Sequence, residues 1–163
     1  MRQPDGYHLA ELNIGLLRHD IGDPRVAEFI DNIDRINALG KRMPGFVAMA
    51  ETEGSAGNTG TFINGNPRLV PNLTVWEDVH SLKSFVWNTV HKKFYDRRAD
   101  WFAKIEMHFV MWWVPIGHMP SLEEGLKRLD TRREHGDSEN AFGWDYLNSA
   151  HMHERQTQQE ELT

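Results

Sequence analysis

HFVMWWVPIGHMP, residues 108–120, is the stretch that decides how the rest of the chain must be read. Successive side chains of a β-strand point to opposite faces, so a strand covering one side of a core alternates apolar with polar residues. This one does not alternate. Met107, Phe109, Met111 and Trp113 share one face, while Val110, Trp112 and Val114 share the other. Both faces are suited to burial, and each needs its own covering layer.

Working outward from it, YHLAELNIGLL (7–17) reads as a first strand with an apolar face of Ala10, Leu12, Ile14 and Leu16. Its other face mixes Leu9 and Gly15 with the polar Glu11 and Asn13. Asp23 and Pro24 are an N-cap and first-turn pair for a helix to about Leu39, where Val26, Phe29, Ile30, Ile33 and Ile36 make one stripe. FVAMAET predicts a second strand, and EGSAGNTGTFINGNPR a connecting loop with no packing period. LVPNLTVWE is a third strand, with Pro71 marking an edge or a bulge. Asp78 caps a helix over 79–101, with a break expected near Asp96. Residues 107–114 are the fourth strand. Ser121, Glu124 and Gly136 then bracket a final helix as capping box and stop. The domain is expected over 1–148, followed by a polar tail over 149–163.

Composition narrows the function. With 163 residues there is chain for one domain and a sizeable core. A net charge of −6 supplies no basic stripe, so nucleic acid is not an expected partner. The absence of cysteine removes disulfides, thiolate metal sites and cysteine nucleophiles. No apolar run nears the roughly 20 residues that span a bilayer, and the start of the chain lacks the pattern of a secretory signal. The expectation is a cytoplasmic protein without a membrane partner.

Strand, helix, strand, strand, helix, strand is the split βαβ order of a ferredoxin-like α+β fold. Two helices cover one face of such a sheet. The simplest cover for the second is another copy of the sheet, as in a homodimer; the alternative is the chain's own C-terminal helix or long loop.

LAELNIG, INAL, PGFV, NPRLVPNLTVWEDVHSLKSFVW, VHKKFYDRRADWF and WWVPIGHMPSLEEGLKRLDTRREHG resemble a bacterial family known only as a domain of unknown function. That family lies close to the antibiotic-biosynthesis-monooxygenase-like superfamily of dimeric α/β barrels. The resemblance spans roughly residues 8–148 and implies fold and pairing. It carries over no agreed catalytic set. The wider superfamily includes cofactor-independent monooxygenases and haem enzymes.

Strand parity nominates the lining of a ligand cavity: Glu11, Asn13, Asn72, Thr74 and Trp76, with Trp112 or Trp113 depending on which face of the fourth strand joins them. Trp87, His91, Tyr95 and Arg98 follow at four, four and three, forming a helical stripe fit to border that cavity. His91 and His118 are candidate bases or axial haem ligands, since neutral imidazole has a free lone pair. His118, in the turn PIGHMP, is expected at the rim. Asn13 and Asn72 are candidates to orient an oxyanion. No HExxH, nucleophile elbow or phosphate-cradling loop is present. The expected function is a small-molecule enzyme acting on a hydrophobic or aromatic substrate, monooxygenase-like or a related oxidoreductase, with haem or with no cofactor. The alternative is a non-catalytic binding or dimerisation module.

Overall fold

The computed structural model describes residues 2–50 and 63–148. The strand β1 (Tyr7–Leu17) lies at the centre of an antiparallel sheet. It is followed by α1 (Pro24–Gly40), β2 (Phe46–Met49) and β3 (Leu69–Trp76). Then come α2 (Val79–Asn88), α3 (Val90–Asp96) and α4 (Arg98–Trp101). The chain closes with β4 (Phe102–Ala103), β5 (Phe109–Pro115) and α5 (Leu122–His135). β3 pairs with one side of β1 and β2 with the outer side of β3. The other side of β1 is shared: β5 pairs along Tyr7–Asn13 and the two-residue β4 takes Leu16 and Leu17. The architecture is α+β. Pro71 is tolerated inside β3 because its β2 ladder reaches only as far as Leu73, whose carbonyl accepts from Ala50 N.

β5 answers the question raised by its sequence. Ala10, Leu12, Ile14, Leu73, Val75, Val110, Trp112 and Val114 form one buried cluster with Leu129 of α5, and Leu122 and Leu126 pack on it. The chain's own C-terminal helix therefore covers the apolar face, and burial of that face needs no partner sheet. Gly125 permits the approach: a Cβ there would stand 3.0 Å from Leu12 Cδ2 and 3.3 Å from Trp112 Cη2. The opposite face meets α1 and α2 through Ile36, Leu82 and Phe85, and meets Phe142 and Leu147 of the closing segment. Arg132 pins that segment, donating to Phe109 O (2.6 Å) and to Asp137 Oδ1 (2.6 Å), which also accepts from Gly143 N. Ile63 joins the core and Asn64–Gly65 turn the chain with positive φ, so the end of the Gly/Asn-rich loop is packed. Residues 51–62, and the expected tail 149–163, lie outside the described residues.

The single helix expected over 79–101 is three. Thr89 is extended, and its hydroxyl donates to Phe85 O (2.6 Å) while accepting from His91 N (3.1 Å), closing α2 and capping α3 at once. A second break falls at Arg97, one residue beyond the one expected.

Candidate functional site

Register places nine side chains in three rows on the face toward α1 and α2. Across β3, β1 and β5 the rows are Trp76, Leu9, Trp113; then Thr74, Glu11, Met111; then Asn72, Asn13, Phe109. Glu11 is central and only 4% exposed. Asn13 Nδ2 donates to its Oε1 (2.7 Å) and Thr74 Oγ1 to its Oε2 (2.9 Å), while Trp76 Nε1 donates to the same Thr74 oxygen (2.9 Å). Both groups that meet the carboxyl are neutral. Burial therefore dominates and pushes its pKa from the ordinary 4.5 up to about 7, against the downward pull of the two hydrogen bonds.

The β5 column of this grid is apolar and aromatic. Phe109 stacks on Trp144 (5.7 Å) and Trp113 packs against Phe142 (5.6 Å). Trp113 Nε1 is buried and has no hydrogen-bond partner among the described residues. Glu11, Asn13, Asn72, Thr74 and Trp76 thus share one face, as parity requires, and Trp113 is the member of β5 that joins them. Trp112 points the other way. Its Nε1 donates to Glu124 Oε1 (3.1 Å), and Glu124 Oε2 lies 2.9 Å from His118 Nε2. Glu124 reads in sequence only as part of a capping box, yet its carboxylate turns to a tryptophan and a histidine. Sequence spacing carries no signal for that. Phe142 and Trp144, in the run AFGWDYL after α5, are members of this layer that the strand parities do not nominate.

His118 is an exposed residue tied to the start of α5, on the side of the sheet away from Glu11. His91 is partly buried and its ring lies 4.7 Å from that of Phe85, which stacks on Trp76 (5.3 Å). Burial lowers its pKa, with Val86 O, 3.4 Å from Nδ1, opposing. Trp87 and Tyr95 meet edge to face (5.1 Å), and the Arg98 guanidinium lies 4.2 Å over Tyr95. The stripe expected from one helix is therefore divided. Trp87 is 37% exposed and Arg98 is also exposed, while His91 turns inward. Because the folded state resists protonating His91, its favourable contribution is present above 6.5 and lost as pH falls below it. His91→Phe keeps an aromatic ring on Phe85 and should shrink the loss of melting temperature between pH 7.5 and pH 5.5; an unchanged loss would assign it to other groups.

Haem does not fit these residues. The aromatic rings of the layer pack on one another rather than face each other across a slot, His91 is held against Phe85, and His118 Nε2 is engaged by Glu124. Among the described residues no cluster of three or more His, Asp or Glu has the arrangement of a metal site. No described helix is long and apolar enough to cross a membrane.

The model of a protein family described as a domain of unknown function, DUF3291, matches residues 8–159. The chain belongs to the DUF3291 family. No curated protein matches the DUF3291 chain. Among solved structures it is similar to the crystal structure of NE2512, a protein of unknown function from Nitrosomonas europaea. The likeness has 9% identity and a TM-score of 0.46, and covers 72% of this chain and 97% of that one.

Proposed function

We propose that this protein is a small-molecule enzyme in which Glu11 moves a proton to or from a hydrophobic, flat substrate held against the Trp113 side of the sheet. The observation that carries this reading is a carboxyl at the centre of a sheet face, 4% exposed and met only by neutral donors. A carboxyl whose pKa lies near neutrality exchanges protons in either direction at low cost. Asn13 and Thr74 would orient it, and Asn13, only partly buried, marks the side from which the row opens. Monooxygenase-like chemistry is the narrower proposal and rests on the family resemblance alone. The test is a carboxyl titration by carbon NMR of glutamate-labelled protein, with the Glu11 signal assigned by its loss in Glu11→Gln. A midpoint near 7 is the expected result. Titration near 4.5 removes the reading.

A binding module without catalysis is the second reading. It is favoured by the Trp76–Thr74–Glu11–Asn13 chain, in which each polar group already has a protein partner. Proton exchange between solvent and a bound ligand's acidic position, abolished in Glu11→Gln, separates the two.

The order β2–β3–β1–β5, antiparallel throughout with helices after β1 and β3, supports a ferredoxin-like reading. Pairing into a dimeric barrel is a further proposal. α5 already occupies the face such a barrel would close, so the resemblance is its support. Light scattering decides it: a mass near 18.9 kDa is the monomer and removes it.

A further inference from the structure

We propose that the groove at the end of the sheet where β1 begins is a second ligand site, fitted to a small zwitterion with an ammonium, a carboxylate and an apolar side chain, such as a free amino acid. Three strands meet there: β1 starts with Tyr7, β3 ends just before Glu77, and β5 runs out into Ile116. Between them and the segment that precedes β1 lies an open groove of about 510 Å3, within the range of small-molecule sites. Tyr7 stands four residues before Glu11 on β1, about 13 Å at the rise of a strand, so the groove is separate from the buried carboxyl. One side chain frames it. Gln3 donates its amide protons to Tyr7 O and Glu77 O, both at 2.7 Å, while Gly6, with φ of 81°, turns its carbonyl to accept from Ile116 N (2.9 Å). The leading segment is thereby tied to all three strands. On this frame stand charges of both signs. Arg2, Asp5 and Glu77 line the groove, and none of these side chains has a hydrogen bond or ion pair among the described residues. Elsewhere on the surface Glu28 closes on Arg97 (2.7 Å) and Glu123 on Lys127 (2.7 Å). Here opposite charges surround one groove without meeting, and a ligand with an ion of each sign engages both. The forked donors of Arg2 suit a carboxylate, and Asp5 and Glu77 suit an ammonium. An anion alone would face two carboxylates, and a cation alone would leave the guanidinium unmatched. His8, which also lines the groove, can donate to the one end or accept from the other. The apolar side chain falls on Tyr7, 38% exposed, and Ile116, 62% exposed, which the fold leaves in water beside these charges.

The experiment titrates nitrogen-15-labelled full-length protein with L-leucine, with N-acetyl-L-leucine, which lacks the ammonium, and with L-leucinamide, which lacks the carboxylate. The expected result is a saturable shift of the Gly6, Tyr7, Glu77 and Ile116 amide signals with leucine. Its Kd should be on the order of 1 mM, because the groove is open and its ion pairs are screened by water and salt. Each analogue should bind about threefold more weakly, the worth of a solvent-exposed ion pair. Arg2→Ala, at an exposed position, should keep the wild-type melting temperature and bind leucine and leucinamide equally, while still favouring leucine over N-acetylleucine. Asp5→Asn combined with Glu77→Gln, both exposed, should lose the second preference and keep the first. No saturable shift at these four amides with leucine, or equal binding of the three compounds by wild type, overturns the site. So does an Arg2→Ala variant that still prefers leucine to leucinamide.

Discussion

Glu11→Gln should make the protein more stable at pH 8 by up to about 3 kcal/mol. The folded pKa of Glu11, about 7, lies above the ordinary 4.5, so the folded state holds this proton more tightly than the unfolded chain does. The contribution of the protonated carboxyl is fully present below 4.5 and is lost as pH rises through 7; above that both states are ionised and the loss is complete. Wild type should therefore fall in stability between pH 5 and pH 8 by that amount, and the variant should lack this fall. Gln offers one acceptor and one donor in place of two acceptors. The hydroxyl of Thr74 can reorient to accept, which makes the exchange tolerable. Urea unfolding from pH 5 to pH 9 reads both curves. A wild-type curve without the fall, or a variant weaker throughout, would mean that Glu11 is ionised and structural.

Trp112→Ala should cost about 3–5 kcal/mol, the range for removing a large aromatic from a close-packed core. Trp112 is fully buried between the sheet and Gly125 of α5, and its indole N–H holds Glu124. Truncation opens a cavity at the point where α5 is seated and also frees the carboxylate that pairs with His118. Trp113→Ala should cost less, since Trp113 is partly exposed and its N–H has no bond to lose. Guanidinium unfolding measures both. Because the cover is intramolecular, the Trp112→Ala midpoint should not move with protein concentration. A concentration-dependent midpoint would place a partner chain on this face, and a loss below about 1 kcal/mol would show that α5 is not seated there.

His91 and His118 illustrate how far residue type carries without position. Each reads as a candidate base. Yet His118 is occupied by Glu124 at the surface of the α5 side, and His91 stands behind Phe85 and Trp76. The expected stripe of Trp87, His91, Tyr95 and Arg98 assumed one helix. Thr89, a good cap in the middle of an apolar pattern, outweighed continuation because its hydroxyl satisfies backbone groups of both helices.

The sequence by itself determined the strand parities. With period two, nothing but the order of residues decides that Glu11, Asn13, Asn72, Thr74 and Trp76 share a face once β1 and β3 pair, and that Trp112 and Trp113 part company. It also determined the ends of β1 and α5, through an apolar alternation and a Ser121 to Gly136 bracket that act locally. Only tertiary structure decided what lies over each face. The doubly apolar strand demands two covers, but burial is non-directional, so a partner sheet and the chain's own α5 satisfy it equally well. Likewise only the packed layer raises the pKa of Glu11 and strands the N–H of Trp113, because desolvation belongs to the surroundings of a group and not to its place in the chain.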